Sequence, residues 1–277
     1  MTPDEYCQRK AAASGSSFYY SFLFLPPARR RAITALYAFC REVDDVVDEC
    51  TDAGIARAKL AWWRNQVAAI YGGAPQHPVA QALIPVVKTF RLPQERLQEI
   101  IDGMEMDLTR RRYPDFATLG LYCYRVAGVV GLLSAEIFGY LNPDTLKYAE
   151  NLGMAFQLTN IIRDVGEDAR RDRVYLPLDE LARYDIAVAD IMQARHTDGF
   201  RQLMEFQIER ALGYYRDAFR ALPAADRKSQ RPGLVMAAIY RTLLTEIRAD
   251  GSQVLTQRTS LTPLRKLWIA WKTWISG

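Results

Sequence analysis

Histidine is almost absent from this 277-residue chain. Its two copies, His77 and His196, sit in neither an HExxH nor an ExxH pattern, which disfavours a His-ligated zinc or di-iron centre. Carboxylates must supply any metal site. Cysteine is scarce as well. Cys7, Cys40, Cys50 and Cys123 have no CxxC spacing, and the first residues lack the basic, apolar, small-residue pattern of a secretory leader, so a reducing, cytoplasmic compartment is expected. Long apolar runs are missing too. The most apolar uncharged stretch, VAGVVGLLSA, is bounded by Arg125 and Glu136 and falls well short of the roughly 18 residues a membrane span needs. Nor is there an excess of one charge: 36 Lys+Arg against 32 Asp+Glu leave a net +4. The basic residues are spread out rather than gathered in a stripe, which argues against a nucleic-acid partner.

What is present is a core-forming composition, 49% hydrophobic and 25% charged. Nearly every window has helical period, and period-2 runs are almost absent. Breakers such as Pro26-Pro27, Gly72-Gly73, Pro93, Asn142-Pro143, Pro177, Pro223 and Pro263 leave about ten helical segments with short connections. No stretch reads as a flexible linker, so residues 1–277 are expected to form one all-α domain.

Two acidic patterns break the helical monotony. In AITALYAFCREVDDVVDE (32–49), Leu36, Phe39, Cys40, Val43 and Val47 make an apolar face, and Tyr37, Arg41, Asp44 and Asp48 run beside it within about 60°. Glu42, Asp45 and Glu49 fall on the far side, as a solvated face would. Like charges four residues apart repel, and the macrodipole disfavours anions at a helix C-terminus, so Asp44 and Asp48 require a cation. In YAENLGMAFQLTNIIRDVGED (148–168) the helix is apolar nearly all round except for one strip, Gly153, Gln157, Asn160, Asp164 and Asp168, spanning about 80°. Ionised carboxylates in apolar surroundings are costly, so this strip implies a cavity, and Gly166 reads as the breaker beside it. Two carboxylate pairs without histidine suit Mg²⁺, which takes one or two protein carboxylates and completes its shell with water and phosphate oxygens. Arg41, Arg163, Arg170, Arg171 and Arg173 could supply the rest of a diphosphate site.

YAFCREVDDVVDE (Tyr37 to Glu49), YCYRVAGVVG (Tyr122 to Gly131) and FQLTNIIRDVGEDARRDRVYLP (Phe156 to Pro177), in that order behind SGSSFYYSFLFLP, resemble the squalene and phytoene synthase family, head-to-head prenyl synthases of the isoprenoid synthase fold. The likeness runs from Ser14 to about Arg248. It implies that Asp44, Asp48, Asn160, Asp164 and Asp168 hold two or three Mg²⁺ ions bridging to substrate diphosphates. It implies also that Tyr37, Arg41, Gln157, Arg163, Arg173 and Tyr240 contact a diphosphate or the reacting end of a prenyl chain. Ser14, Gly15, Ser16 and Ser17 match a segment that closes over one diphosphate, although some members carry a basic residue where Ser16 stands. Tyr122 matches a tyrosine assigned to proton handling. The apolar helix after Tyr122 fits a prenyl channel, with Val126, Val129 and Leu133 continuing the Tyr122 face and Gly128, Gly131 and Ala135 permitting close approach.

Within the family the pattern, particularly MTPDEYC, GSSFYYSF and DGMEMDL (Asp102 to Leu108), most resembles presqualene diphosphate synthases of hopanoid biosynthesis. These condense two farnesyl diphosphates without NADPH and release the product to a downstream presqualene-processing enzyme. Phytoene synthase, which joins two geranylgeranyl diphosphates, is the alternative. An NADPH-dependent squalene synthase and a non-catalytic assembly factor are further readings, and the intact acids argue against the last. Beyond Asp250 the chain has Arg258, Arg265, Lys266 and Lys272 but no acid, and its last apolar residues repeat at helical spacing over 261–275. That pattern fits a peripheral contact with the inner membrane face.

Overall fold

A computed structural model describes residues 1–13, 18–22, 24–50 and 52–276. It is all-α, as expected: among the described residues the nearest approach to a sheet is a single parallel bridge between Arg112 and Val174. The helices are α1 (Pro3–Ala13), α2 (Phe18–Phe22), α3 (Pro27–Glu49), α4 (Ala53–Gly72), α5 (Pro78–Phe90), α6 (Gln94–Thr109), α7 (Phe116–Cys123), α8 (Val129–Phe138), α9 (Asp144–Arg170), α10 (Leu178–Arg183), α11 (Val188–Met192), α12 (Asp198–Ala221), α13 (Arg231–Ala249) and α14 (Pro263–Ser276). Their ends follow local chemistry. Pro26-Pro27 opens α3, Asp52 caps α4 by accepting from the Ile55 N–H, and Thr197 caps α12 by accepting from the Phe200 N–H.

Two apolar clusters form the interior. One joins α1 with α3–α6 and one face of α8; the other surrounds α9 with α7, α12, α13 and α14. Phe18, Tyr124 and Val126 pack against both. The long α9 is buried on most sides because its neighbours cover it all round, which explains the near-uniform apolarity of its sequence. It does not stop at Gly166. The helix runs through to Arg170, and Gly166 serves a different purpose: its N–H donates to Val254 O at 3.1 Å, and a Cβ there would lie 2.2 Å from Leu255 O. Only glycine lets the chain after α13 lie flat on α9.

Between α7 and α8, Tyr124–Gly128 forms a π-turn closed by the Val129 N–H on Tyr124 O. The extra residue rotates α8 about its axis, and the expected lining changes with it. Val129 and Leu133 point away into the α3–α6 cluster, while Val126, Val130, Ser134 and Ala135 face the cavity. The continuous run Phe116–Phe138 is long and apolar enough to span a bilayer, contrary to the sequence expectation, because Arg125 interrupts the uncharged stretch without spoiling its mean hydropathy. Here it is a cavity wall.

Candidate active site

An apolar cavity of about 170 Å³ lies between α3, α8, α9 and α13, with α2 along one side. Its walls are Leu36, Val126, Ala135, Leu152, Phe156 and Met236 among others. α8 and α9 cross closely enough that a Cβ on Gly131 would sit 2.2 Å from Ala149 O. One end of the cavity is polar. There Tyr37 and Cys40 of α3 meet Gln157 and Asn160 of α9, and an adjoining pocket is lined by Arg41, Arg163, Tyr240, Arg258 and Lys266.

The two acidic stripes face this mouth from the last turns of α3 and α9. Asp44 pairs with Arg41 at 2.6 Å, Asp164 with Arg163 at 2.5 Å and with Arg258 at 2.8 Å, and Asp48 with Arg173 at 2.8 Å. A further carboxylate joins them from α6. Asp107 is buried, accepts from Tyr175 Oη at 2.5 Å, and lies 3.5 Å from Arg173. The Arg112–Val174 bridge and the Val174 N–H on Arg111 O at 3.0 Å bring these two segments side by side.

The mouth is crowded with negative charge. Burial, then the neighbouring Asp48, push the Asp44 carboxyl up to about 7; burial, then Asp164 and Asp107, do the same to Asp168. Asp107 is raised by burial and by Asp48 despite Arg173 and Tyr175. Asp164 differs: burial raises it, but Arg163 and Arg258 outweigh that and hold it below the usual carboxylate range. Lys266 is lowered by burial and by the nearby Arg163 and Arg258. Asn160 Oδ1 is buried without a hydrogen-bond partner, although its Nδ2 donates to Gln157 Oε1 at 3.3 Å. An orphaned acceptor beside acids that crowding has driven towards neutrality suits a hard cation. Among the described residues no three acidic, Cys or His side chains converge as an all-protein metal cage would. Mg²⁺ needs fewer, since water and phosphate oxygens complete its shell.

Below the charged rim is an aromatic collar. Phe18 packs on Tyr37, Phe156 and Tyr240 with ring centroids 5.9, 6.0 and 6.3 Å apart. Tyr122 is not part of the cavity lining. It is stacked on Tyr175 at 5.4 Å and packs against Tyr113 at 5.6 Å, behind the Tyr175–Asp107 hydrogen bond.

The squalene/phytoene synthase family pattern matches residues 11–265. The chain belongs to the squalene/phytoene synthase family. This is a family of prenyl-transfer enzymes. The chain is 38% identical to the 15-cis-phytoene synthase of Synechocystis sp., over 96% of this chain and 84% of that protein. It is 37% identical to the phytoene synthase of Arthrospira platensis, over 95% and 89% respectively. Among solved structures, a dehydrosqualene synthase superposes with a TM-score of 0.86 at 27% identity, covering 98% of this chain and 95% of that one. A squalene synthase from Alicyclobacillus acidocaldarius gives 0.81, also at 27%, covering 90% and 94%. The isoprenoid synthase fold is therefore the fold of this chain.

The relatives overturn the presqualene diphosphate synthase reading in favour of its alternative, phytoene synthase. The structure gives the physical reason. DGMEMDL could mark a product only by facing the prenyl tail, yet Asp102 pairs with Arg64 at 2.5 Å on the outside of α6 and Asp107 stands at the charged mouth. Neither lines the part of the cavity that would measure a prenyl tail.

Other expectations change in detail. Asp45 and Glu42 are not a solvated face: Lys10 of α1 reaches Asp45 at 2.7 Å and Glu42 at 3.1 Å, and Arg41 also holds Asp45 at 2.7 Å. Arg173 is drawn into the site, Arg171 touches Asp48 only at 3.4 Å, and Arg170 is exposed. Ser14, Gly15, Ser16 and Ser17 lie outside the described residues. Sequence reading missed Asp107, Arg258 and Lys266, which come from α6, from the chain after α13 and from α14. Each is a lone charge with no partner at helical spacing in its own segment, so periodicity could not single it out.

Proposed function

We propose that this protein is a phytoene synthase, joining two geranylgeranyl diphosphates head to head with loss of diphosphate. The observation that carries this reading is the 37–38% identity, over nearly the whole chain, to proteins named phytoene synthase. An apolar cavity below a charged mouth agrees with it.

Asp44, Asp48, Asn160, Asp164 and Asp168 would hold Mg²⁺, which supplies neutralisation of the leaving diphosphate and so promotes C–O cleavage. Arg41, Arg163, Arg258 and Lys266 line the adjoining pocket and receive diphosphate oxygens through charge-assisted hydrogen bonds. Arg163 and Arg258 already hold Asp164, so the guanidiniums are oriented before substrate arrives. The collar of Phe18, Tyr37, Phe156 and Tyr240 turns π-electron density towards the carbon that develops positive charge. Apolar walls exclude water, which would otherwise trap an allylic cation. Burial pushes the Tyr122 hydroxyl well above its usual range, so it stays protonated and neutral. Its neighbour Tyr175 donates to Asp107, a buried carboxylate that also faces Arg173.

The test is a competition. Purified protein with Mg²⁺ receives geranylgeranyl and farnesyl diphosphates, separately and together, and products are identified by mass. Phytoene formed with the higher kcat/KM is expected. A farnesyl-derived product at the higher kcat/KM would overturn the reading.

A further inference from the structure

α14 lies along the outside of the cavity from mouth to floor. Its inner side carries Lys266 into the charged pocket and packs Ile269 and Ala270 into the core, and near its end Trp274 reaches Phe24 with ring centroids 5.2 Å apart. Its outer side carries an exposed apolar stripe. At roughly 100° per residue, Leu264, Leu267, Trp268, Trp271 and Ile275 fall within about 100° of one another, and all five are exposed, Leu264 by 81%. That is an apolar face on a helix far too short to span a bilayer, the geometry of an interfacial helix.

The surface continues past the helix. Phe24, Leu141 and Trp274 share a groove with Arg29, Lys228 and Arg231. Leu141 is 83% exposed and is held there: buried Asp226 accepts from the Leu141 N–H at 2.8 Å, the Asn142 N–H at 3.0 Å and Thr145 Oγ1 at 2.7 Å. The groove's acid is thus satisfied internally, and Arg29, Lys228 and Arg231 give its lining a positive excess. Lys272 lies 5.1 Å from the Trp268 ring, Arg231 lies 5.7 Å from that of Trp274, and Glu246 beside α14 is taken by Arg265 at 2.6 Å. This groove backs directly onto the cavity floor. Phe138, Gln230 and Pro232 line the cavity, their chain neighbours Gly139, Ser229 and Arg231 line the groove, and Gln230 Nε2 ties the two by donating to Gly139 O at 3.0 Å.

We propose that the outer face of α14, with Phe24 and Leu141, docks on an anionic lipid bilayer and sets the cavity floor against the membrane. Aromatic and leucine side chains enter the headgroup boundary while the lysines and arginines around them meet lipid phosphates. A second copy of this chain fits the face poorly, because a two-fold contact would set these cations near their own counterparts. The docking stands without the proposed reaction. Only its use, discharge of a hydrocarbon too apolar for water, rests on that reading.

The full-length protein is floated with phosphatidylcholine vesicles and with vesicles that also contain phosphatidylglycerol. The parent should float with the second kind and not the first. The doubly substituted Trp268→Ser, Trp271→Ser protein should lose bound fraction by on the order of tenfold, with helicity and turnover in detergent unchanged. Trp62→Ser, an exposed tryptophan on α4, should float as the parent does. Equal flotation of the double variant, a parent that stays in the dense layer, or equal flotation with both vesicles would overturn the proposal. So would a parent dimer by light scattering that the same pair of substitutions dissolves. Flotation needs no catalysis, so its failure and that of the phytoene assignment remain separate results.

Discussion

The crossing of α8 over α9 allows a sharp test of what shapes the cavity. In Gly131→Ala the new methyl would lie 2.2 Å from Ala149 O and 3.0 Å from the carbonyl carbon, against an ordinary contact of 3.4 Å or more. The helices must therefore part by about 3.4 − 2.2 = 1.2 Å, and the obstacle is backbone, with no side chain able to swing aside. Overpacking of this kind costs about 1–3 kcal/mol or more, or a fall of several degrees in Tm for a chain this size. Gly120 on α7 provides the comparison, since nothing lies within 4 Å of its Cβ position. Alanine there should stabilise the helix by about 0.5–1 kcal/mol. Thermal unfolding of both variants, with kcat and KM on geranylgeranyl diphosphate, decides the matter. Because both helices line the cavity, Gly131→Ala should also raise KM, whereas Gly120→Ala should leave it unchanged. If Gly131→Ala melts at or above the parent temperature, the close crossing does not hold the wall in place.

Asp44→Asn and Asp164→Asn should each leave a folded protein whose Mg²⁺-dependent turnover is reduced on the order of 10²-fold or more, read by product formation under saturating substrate. Asp45→Asn should retain turnover and lose at most about 1 kcal/mol, because Lys10 keeps Glu42 and such pairs are weak; urea unfolding measures it. Asp107→Asn removes a charge that both stripes feel. It should lower the apparent acidic pKa of the metal-free site and weaken Mg²⁺ binding by calorimetry, whereas Tyr175→Phe, which keeps the charge, should leave Mg²⁺ affinity nearer the parent's. Asp44 and Asp168 hold their protons until about pH 7 in the metal-free fold, while the unfolded chain releases them near about pH 4. The fold therefore binds the extra protons between those values. The Tm in chelator should fall as pH rises through that window, and Mg²⁺ should raise Tm more at about pH 8 than at about pH 5. A flat profile would refute the crowding.

The helical fold and both acidic stripes were legible because each repeats within one segment: Asp44 with Asp48, and Asn160 with Asp164 and Asp168, share a helix face at spacings a sequence displays directly. What was hidden depends on distance along the chain. Asp107 gains its meaning from Tyr175 and Arg173, and Arg258 from Asp164; no local period announces either. Asp45 read as solvated because Lys10, which with Arg41 holds it, belongs to another helix. Gly166 read as a breaker, since a sequence does not reveal which backbone will press against a missing Cβ. Product class escaped for a related reason: Asp102 and Asp107 of the motif used for it do not line the cavity, whereas prenyl length is felt along apolar walls that many side-chain combinations could build.

The π-turn at Tyr124–Gly128 makes the identity of one of those walls a matter of counting. Were the turn to relax to an ordinary helix with all its residues kept, everything after it would turn by about 100°, exchanging Val130 and Ser134 at the cavity for residues such as Val129 and Leu133 that now pack on the other side. A replacement that tips this one turn between its two forms would thus reline the chamber wholesale, with no wall residue changed. Evolution in this fold has a route to altered chambers that a catalogue of wall substitutions would never display.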